Sequence, residues 1–501
     1  MSARPTTMHI TTVRRLVAAG AAVLLLEGCV STMAPRYTRP AAPVPATLPQ
    51  GGGAYPPAVA AAAPASDLAW RDFVVDPKLR SVIELSLANN RDLRVAMLNV
   101  AAARAQFQVQ RGALFPQIDA NFNPTIEHLP ASVLGAQSGV SSTTVGGAGQ
   151  GAASSSQSVT IQTYVATLGI SSYELDLWGR VRSLTKAAFE QYLATDETRR
   201  AAQISLISEV ASAYVTYAAD LDRLDAARDT VKSDSESFDI TRTRFGGGIA
   251  SELDVRQAQT AADQARSDVD SYRTQVAQDL NALTLLVGAV PPLDLLPTGL
   301  GDGLPTLADV PAGVSSQVLL NRPDVLQAEH QLKANNANIG AARAAFFPTI
   351  LLTGGGGSAS TTLGGLFGAG SGAWSFTPTV TLPIFDAGKN LANLRLAKVQ
   401  QQTAVAQYEK SVQTAFREVA DALARRGTID EQLAVQEDLV DASSHSLGLS
   451  QLRYRRGTDT YLSTLTAEVS LYSARQNLIA TRLARALNLV TLYQTLGGGT
   501  R

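Results

Sequence analysis

The chain has 501 residues and a formal net charge of −1, with 42 lysines and arginines against 43 aspartates and glutamates. This balance argues against a nucleic-acid-binding protein, because such proteins carry a basic face. Apolar residues make up 45% of the chain and aromatic residues only 6%, a composition that favours closely packed helices with small side chains.

Residues 1–28 have the pattern of a secretory signal peptide. Arginines precede a short apolar run, Leu16–Leu26, and Gly28 lies immediately before Cys29. The run would span only about 16 Å as a helix, which is too short to cross a bilayer. No later segment has about 20 unbroken apolar residues, so the sequence predicts no transmembrane helix.

Cys29 is the only cysteine, so it has no disulfide partner within the chain. The segment Leu26–Cys29 resembles a bacterial lipobox, which implies signal cleavage between Gly28 and Cys29 and acylation of Cys29. Each buried methylene would then contribute about 0.8 kcal/mol to membrane binding. Val30 follows in place of aspartate, which in such lipoproteins implies the outer membrane. The alternative is an ordinary signal peptide followed by an incidental cysteine.

Proline, alanine and glycine dominate residues 34–66 and predict an extended tether. After Pro77, residues 78–114 carry helical spacing. Residues 182–245 then contain neither glycine nor proline, and as one helix they would be about 96 Å long. Residues 389–456 are their counterpart. The alternative is a set of hidden helix breaks, for example at Lys232–Ser237, which would shorten these rods without changing their class.

Alternating apolar and polar residues predict four strands between the helices. Residues 117–127 and 374–384 alternate clearly, and residues 159–175 and 349–358 are their hairpin partners. Such alternation is typical of strands that face lipid on one side and water on the other. Loops rich in glycine and serine, at 131–158 and 354–372, are predicted to join each strand pair.

The chain is an internal duplication of one large unit. Residues 92–116 reappear at 324–348, and later positions such as Gly179, Arg244 and Gly248 match Gly388, Arg453 and Gly457. Doubled chains usually build a pseudo-symmetric wall and not a single cleft. The predicted organisation is a signal peptide at 1–28, an acylated tether at 29–75, a first repeat at 76–290, a linker at 291–306, a second repeat at 307–497 and a tail at 498–501.

Four strands cannot close a membrane barrel, because about eight is the smallest number that closes around side chains. An open edge in lipid leaves backbone groups unpaired at several kcal/mol each. Either several chains share one barrel, with three chains giving twelve strands, or the strands never meet a membrane. The second alternative is a soluble β-sandwich, which conflicts with Trp374 and Phe376 on an outward apolar stripe.

Several motifs give the chain a family resemblance that covers nearly everything after Cys29. It resembles the TolC-like outer-membrane efflux channels, in the lipoprotein branch that includes the OprM and NodT types. The motifs that carry the resemblance are the residues at 34–40 (APRYTRP), 172–180 (SYELDLWGR), 322–324 (RPD), 337–348 (ANIGAARAAFFP) and 496–499 (LGGG).

The resemblance implies a mixed α and β membrane protein, a homotrimer with a 12-stranded barrel in the outer membrane and a helical barrel across the periplasm. Small molecules would leave passively through it, driven by an inner-membrane pump of the RND type and joined to it by a periplasmic adaptor. The lipid would anchor the trimer without forming part of the channel.

The resemblance also implies that two helix–turn–helix tips, around Arg244–Val255 and Arg453–Leu465, form the narrow mouth and meet the adaptor. The two tips share an arginine, an aromatic residue, a turn glycine and a leucine, namely Arg244, Phe245, Gly248, Leu253, Arg453, Tyr454, Gly457 and Leu462.

Related channels close the mouth with acids on the last return helix, and the matching positions here are Ser463 and Thr466. Other acids near the turns are therefore the candidates for a gate, and the arginines of the second tip are their candidate ionic partners. A ring of carboxylates would attract cations and respond to ionic strength. The gate candidates are Glu252, Asp254, Asp459, Arg453, Arg455 and Arg456.

No catalytic residue, metal site or cofactor is predicted. The 4 histidines are scattered, and no HExxH, CxxC or GxSxG motif occurs. The leading hypothesis is therefore a passive exit duct in a tripartite efflux system. One alternative keeps the fold and predicts a type I protein-secretion duct. A periplasmic coiled-coil spacer is a further alternative, but a spacer has no need of lipid-facing strands.

Overall fold

The computed structural model describes residues 32–57, 69–130, 158–301 and 315–498. The signal peptide, Cys29, the first glycine-rich loop and part of the inter-repeat linker lie outside the described residues. The helices in chain order are α1 (Trp70–Phe73), α2 (Pro77–Asn89), α3 (Arg91–Gly112), α4 (Arg180–Gly246), α5 (Glu252–Val287), α6 (Pro323–Ala344), α7 (Lys389–Arg455) and α8 (Tyr461–Thr495). The strands are β1 (Ile118–Leu129), β2 (Val159–Glu174), β3 (Thr349–Ser360) and β4 (Gly372–Thr381).

The long helices agree with the sequence prediction. Helices α4 and α7 each have 67 residues without interruption, so the predicted rods are confirmed and no break occurs at Lys232–Ser237. The predicted helical segment 78–114 is instead divided at Asn90. The Asn90 side chain accepts a hydrogen bond from the backbone N–H of Leu93 at 2.8 Å, and such local bonding favours a helix start over a helix interior.

The chain divides into two compact units. The strand unit comprises Met1–Tyr37, Gln106–Phe189 and Ala334–Gln400, and the helix unit comprises Thr38–Ala105, Glu190–Lys333 and Gln401–Arg501. None of the helices in the described part of the chain is both long and apolar enough to cross a membrane.

The strand unit contains one antiparallel sheet with the order β1-β2-β3-β4. The two predicted hairpins are present: Ile118 pairs with Ile170 in the first, and Thr349 pairs with Thr381 in the second. Strand β2 also pairs with β3, with Tyr164 opposite Ser360, so the two repeats share one sheet. Strands β1 and β4 form its two edges.

The prediction of a loop over 354–372 is wrong in its first part, because β3 continues to Ser360. Its glycines lie opposite β2, where space is short. A β-carbon on Gly357 would approach the carbonyl oxygen of Ala166 to 2.0 Å, whereas one on Gly356 would meet nothing within 4 Å. Glycine in this strand therefore permits close approach of the neighbouring backbone.

The edge strands expose large apolar side chains. Phe122 and Ile126 on β1 are 53% and 62% exposed, and Trp374 and Phe376 on β4 are 83% and 62% exposed. Such a surface is costly in water, and an exposed apolar patch of this kind marks a membrane or protein contact.

The residues at 172–180 and 337–348 meet in the strand unit. The Trp178 ring stacks on Phe347 with centroids 4.7 Å apart, and its indole N–H donates to the carbonyl of Pro348 at 2.9 Å. The Tyr173 hydroxyl donates to the carbonyl of Leu114 at 3.0 Å. The motif thus fixes the strand ends to the segments that enter and leave the neighbouring helices.

Residues 32–57, which we call the strap, are extended as predicted but are packed and not free. Within the strand unit, the Arg343 guanidinium donates to the carbonyl of Met33 at 3.0 Å, and Gly340 lies so close to Ala34 that a β-carbon would approach the Ala34 nitrogen to 2.7 Å. Within the helix unit, Arg39 forms an ion pair of 2.5 Å with the buried Glu329.

The helix unit packs through small and aromatic side chains. Ala258, Ala262 and Ala265 are buried on one face of α5, and their spacing is that of a helix packed against a neighbour along one stripe. Phe73 stacks on Tyr493 with ring centroids 4.3 Å apart. Close packing within the helix unit therefore holds the helices that carry the predicted tips.

Candidate functional site

Both predicted tips are tight turns within the helix unit. In the first tip the N–H of Ile249 donates to the carbonyl of Arg244 at 2.8 Å, and in the second the N–H of Thr458 donates to that of Arg453 at 3.1 Å. Gly248 and Gly457 have φ values of 74° and 73°. This arrangement is the Schellman motif, in which glycine takes the left-handed position and ends the helix.

The return helices begin differently in the two tips. Ser251 and Asp254 form a capping box at the start of α5: the Ser251 N–H donates to Asp254 Oδ2 at 2.9 Å, and the Asp254 N–H donates to Ser251 Oγ at 3.1 Å. At α8, Asp459 Oδ1 accepts from the N–H of Thr460 at 2.9 Å and from Ser463 Oγ at 3.0 Å. Two of the predicted gate acids therefore organise helix starts.

The two tips contact each other through Arg244. Its guanidinium donates to the carbonyl of Tyr454 at 2.9 Å and lies 4.4 Å from the centroid of the Tyr454 ring. Tyr454 in turn meets Tyr461 edge to face, with ring centroids 5.5 Å apart. The structure thus brings together two of the predicted docking residues and adds Tyr461, which is almost fully buried.

The charged gate candidates form local pairs. Glu252 contacts Arg256 at 3.3 Å on the surface of α5, and Asp459 contacts Arg453 at 3.2 Å. Hydrogen bonds from Ser463 and Thr460, with Arg453 nearby, lower the pKa of Asp459. Arg456 is exposed, and Arg455 lines a cavity described below.

The predicted docking residues Phe245, Leu253 and Leu462 are exposed apolar side chains, 46%, 65% and 56% accessible. Ile249, at the turn of the first tip, is 71% exposed. Four apolar side chains at two adjacent turns form a surface suited to contact with another protein.

Sequence reasoning missed a polar cavity of about 400 Å³ between α4, α7 and α8. Asp234 and Glu468 line it, and both are more than nine-tenths buried. Burial raises the pKa of Asp234 to about 6. Burial, together with the nearby Asp234, raises the pKa of Glu468 to about 7. Nothing in the sequence indicates this cavity, because acids are mostly exposed and the burial of these two depends on the helices that pack against them.

No metal site is evident in the described ranges, which contain no group of three or more histidine, cysteine, aspartate or glutamate residues arranged to hold an ion. The interactions available at the tips are ion pairs, apolar contacts and helix packing. The docking and gate roles of the tip residues stay predictions.

Comparisons with known proteins give consistent matches over most of the chain. A sequence model of a family described as outer membrane efflux protein matches residues 82–289 and 314–498. The toluene efflux pump outer membrane protein TtgC of Pseudomonas putida is 46% identical over 486 residues, which cover 97% of this chain and 96% of TtgC.

Two solved structures are similar in fold as well as in sequence. A membrane protein from Pseudomonas aeruginosa aligns with a TM-score of 0.83 at 40% identity, over 94% of this chain and 98% of that one. The open state of the MtrE outer membrane channel of Neisseria gonorrhoeae aligns with a TM-score of 0.80 at 37% identity, over 94% of this chain and 99% of MtrE.

Proposed function

Because this chain belongs to the outer membrane efflux protein family and is an outer membrane channel component of an efflux system, we propose a more specific role. Three copies form a passive exit duct for small molecules. An inner-membrane pump of the RND type drives the transport, and a periplasmic adaptor joins the pump to the duct. No step of this transport requires a reaction catalysed by the chain.

The open sheet is the observation that carries this proposal. Within the described ranges its four strands end in two unpaired edges, β1 and β4, and both edge strands expose aromatic side chains. In lipid, the free backbone groups of an edge cost several kcal/mol each unless another strand pairs with them. Pairing β4 of one copy with β1 of the next satisfies both edges, and three copies give twelve strands.

The cargo that we propose is small and apolar. The relative TtgC is described as a toluene efflux pump outer membrane protein, and this chain matches it over nearly its whole length. A lumen that passes such molecules needs no specific pocket, because the pump selects the substrate and the duct only conducts it.

We place the adaptor contact at the two tips. Phe245, Ile249, Leu253 and Leu462 are exposed there, and adjacent turns at the end of long helices are accessible to a partner from the periplasm. Glu252, Asp254 and Asp459 would then narrow the mouth, with Arg453, Arg455 and Arg456 as their ionic partners.

Cys29 is proposed as the lipid attachment site. The strap supports this, because Thr32 lies against Gly179, which closely follows the end of β2. Thr32, three residues after Cys29 in the sequence, thus lies near the end of a strand that we propose to enter the membrane. Cys29→Ser should abolish incorporation of labelled palmitate while leaving trimer formation intact.

The deciding experiment uses the purified full chain in detergent. Its oligomer mass and its conductance in a planar bilayer are measured on the same sample. We expect a trimer that gives discrete openings. A monomer that is helical by circular dichroism but conducts no current would overturn the exit-duct proposal.

A further inference from the structure

The polar cavity beneath the tips contains an unusual group of oxygen atoms. Asp234 comes from α4, while Tyr461, Thr464 and Glu468 come from α8. Among the described residues that line this cavity, four buried oxygens have no hydrogen-bond partner: Asp234 Oδ1, Tyr461 Oη, Thr464 Oγ1 and Glu468 Oε2.

The two carboxylates lack a compensating charge. Glu468 Oε1 accepts a hydrogen bond from Ser237 Oγ at 3.1 Å, and within the described part of the chain neither Asp234 nor Glu468 takes part in an ion pair. A buried carboxylate without a partner is strongly destabilised as an anion, and two of them near each other are destabilised further. The neutral form of at least one is therefore favoured.

Other charged and titratable groups face the cavity from every helix around it. The numbers of positive and negative charges among them are nearly equal. Asp229, Lys232 and Glu236 lie on α4, Tyr454 and Arg455 on α7, and Tyr461, Tyr472 and Arg475 on α8. Asp254 of α5 is close enough to influence Tyr461. None of these groups offers the close, buried contact that would neutralise the pair.

We propose that Asp234 and Glu468 form a proton-binding pair that controls how firmly α4 packs against α8 beneath the tips. When the pair carries protons, the two helices are held together and a protonated carboxyl can donate to an unbonded oxygen. When both groups ionise, their repulsion and desolvation loosen the packing. The inference concerns helix packing within one chain, so it does not depend on the proposed exit-duct function.

The direction of the pH dependence follows from the raised pKa values of the two acids. Both acids bind their protons more tightly in the folded chain than in the unfolded chain, with pKa values of about 6 for Asp234 and about 7 for Glu468. The folded arrangement is therefore favoured at acidic pH and loses stability as the pH rises through these values. Arg244 lies on α4, as Asp234 does, and it contacts Tyr454 of α7, which lines the cavity. This contact between the tips should therefore loosen over the same pH range.

The test is hydrogen–deuterium exchange of the purified full chain between pH 5.5 and 8, corrected for the intrinsic pH dependence of exchange. We expect protection of amides in 230–245 and 461–470 to fall on the order of tenfold across this range. The variants Asp234→Asn and Glu468→Gln, which imitate the protonated forms, should each reduce that fall, and the double variant should remove it.

The matched control is Asp239→Asn, an exposed acid five residues from Asp234 on the same helix and outside the cavity lining, which should leave the pH dependence unchanged. Protection that does not change with pH in the wild-type chain would overturn the proposal. Full recovery of protection at pH 8 on addition of calcium alone would also overturn it, because a cation would then occupy the site in place of protons. Each single variant can be measured separately, so one misfolded variant does not prevent the test.

Discussion

Arg244 connects the two tips by two interactions of different kinds, a hydrogen bond to a backbone carbonyl and a contact with an aromatic face. Cation–π contacts contribute about 0.5–2 kcal/mol and a hydrogen bond from a charged group about 1.5–3 kcal/mol. Arg244 thus adds two polar contacts to the apolar packing of Ala258 against Tyr454 and Tyr461 that also joins the tips.

Arg244→Ala should weaken the contact between the tips by about 1–3 kcal/mol. The expected result is faster amide exchange at residues 453–462, measured by mass spectrometry. Arg242→Ala removes an exposed arginine from the same helix and should leave exchange in this region unchanged. Equal effects of the two substitutions would show that general charge, and not the Tyr454 contact, holds the tips.

Asp254 is both a gate candidate and part of the capping box of α5, so a test of its charge requires a control for helix capping. Replacing both Glu252 and Asp254 with alanine should raise single-channel conductance if their charge narrows the mouth. Asp254→Ala also breaks the capping box, at a cost of about 1 kcal/mol. Ser251→Ala breaks the same box without changing charge. Conductance that rises equally in Ser251→Ala would assign the effect to the frayed helix and reject the charge gate.

The capping box also shows how much of the tip structure could be predicted from the sequence. Residues 251–254 (SELD) have the serine–aspartate spacing of a capping box, so the role of Asp254 could have been predicted. The ring contact between Tyr454 and Tyr461 could not, because it depends on how two helices turn toward each other. The buried position of Glu468 likewise depends on the helix opposite.

Among the elements, helices were more predictable than strands. The absence of glycine and proline from residues 182–245 was sufficient to predict α4, because nothing in that segment interrupts a helix. For β3 the sequence predicts a strand over 349–358 and an overlapping loop over 354–372, and the loop prediction is wrong as far as Ser360. A glycine run is typical of a loop, but here it accommodates the backbone of β2, and composition carries no information about what lies opposite a strand.

Gly357→Ala should therefore destabilise the sheet by about 1–3 kcal/mol or more, since the added methyl group would overlap the carbonyl of Ala166. Gly356→Ala, one residue away, places its methyl group in open space and is the matched control. Thermal unfolding in detergent measures both. Equal melting temperatures for the two variants would contradict the proposed role of the glycine run.

For the whole molecule, the main result is that one sheet joins the two repeats. The duplication predicted two hairpins, but it did not predict that β2 pairs with β3. That pairing joins strands almost 200 residues apart in the sequence. The same limitation applies to the strap. Its proline content predicted extension, but not the helix against which it packs.

Gly340→Ala should displace the first part of the strap, because the methyl group would overlap Ala34. The measurement is the rate of tryptic cleavage after Arg36, which we expect to increase several-fold. Gly448→Ala is the control, since that glycine is also within a helix but has nothing within 4 Å of its β-carbon position. An unchanged cleavage rate in Gly340→Ala would show that the strap is held elsewhere.

The packed strap has a consequence for how the chain is produced. Met33 is synthesised near the beginning, but Arg343, which binds its carbonyl, comes 310 residues later. At roughly 5–20 residues per second, the ribosome needs on the order of 15–60 s to make the intervening chain. During that interval the Met33 carbonyl has no Arg343 guanidinium from which to accept a hydrogen bond, so the strap reaches its final packing only after α6 has been made.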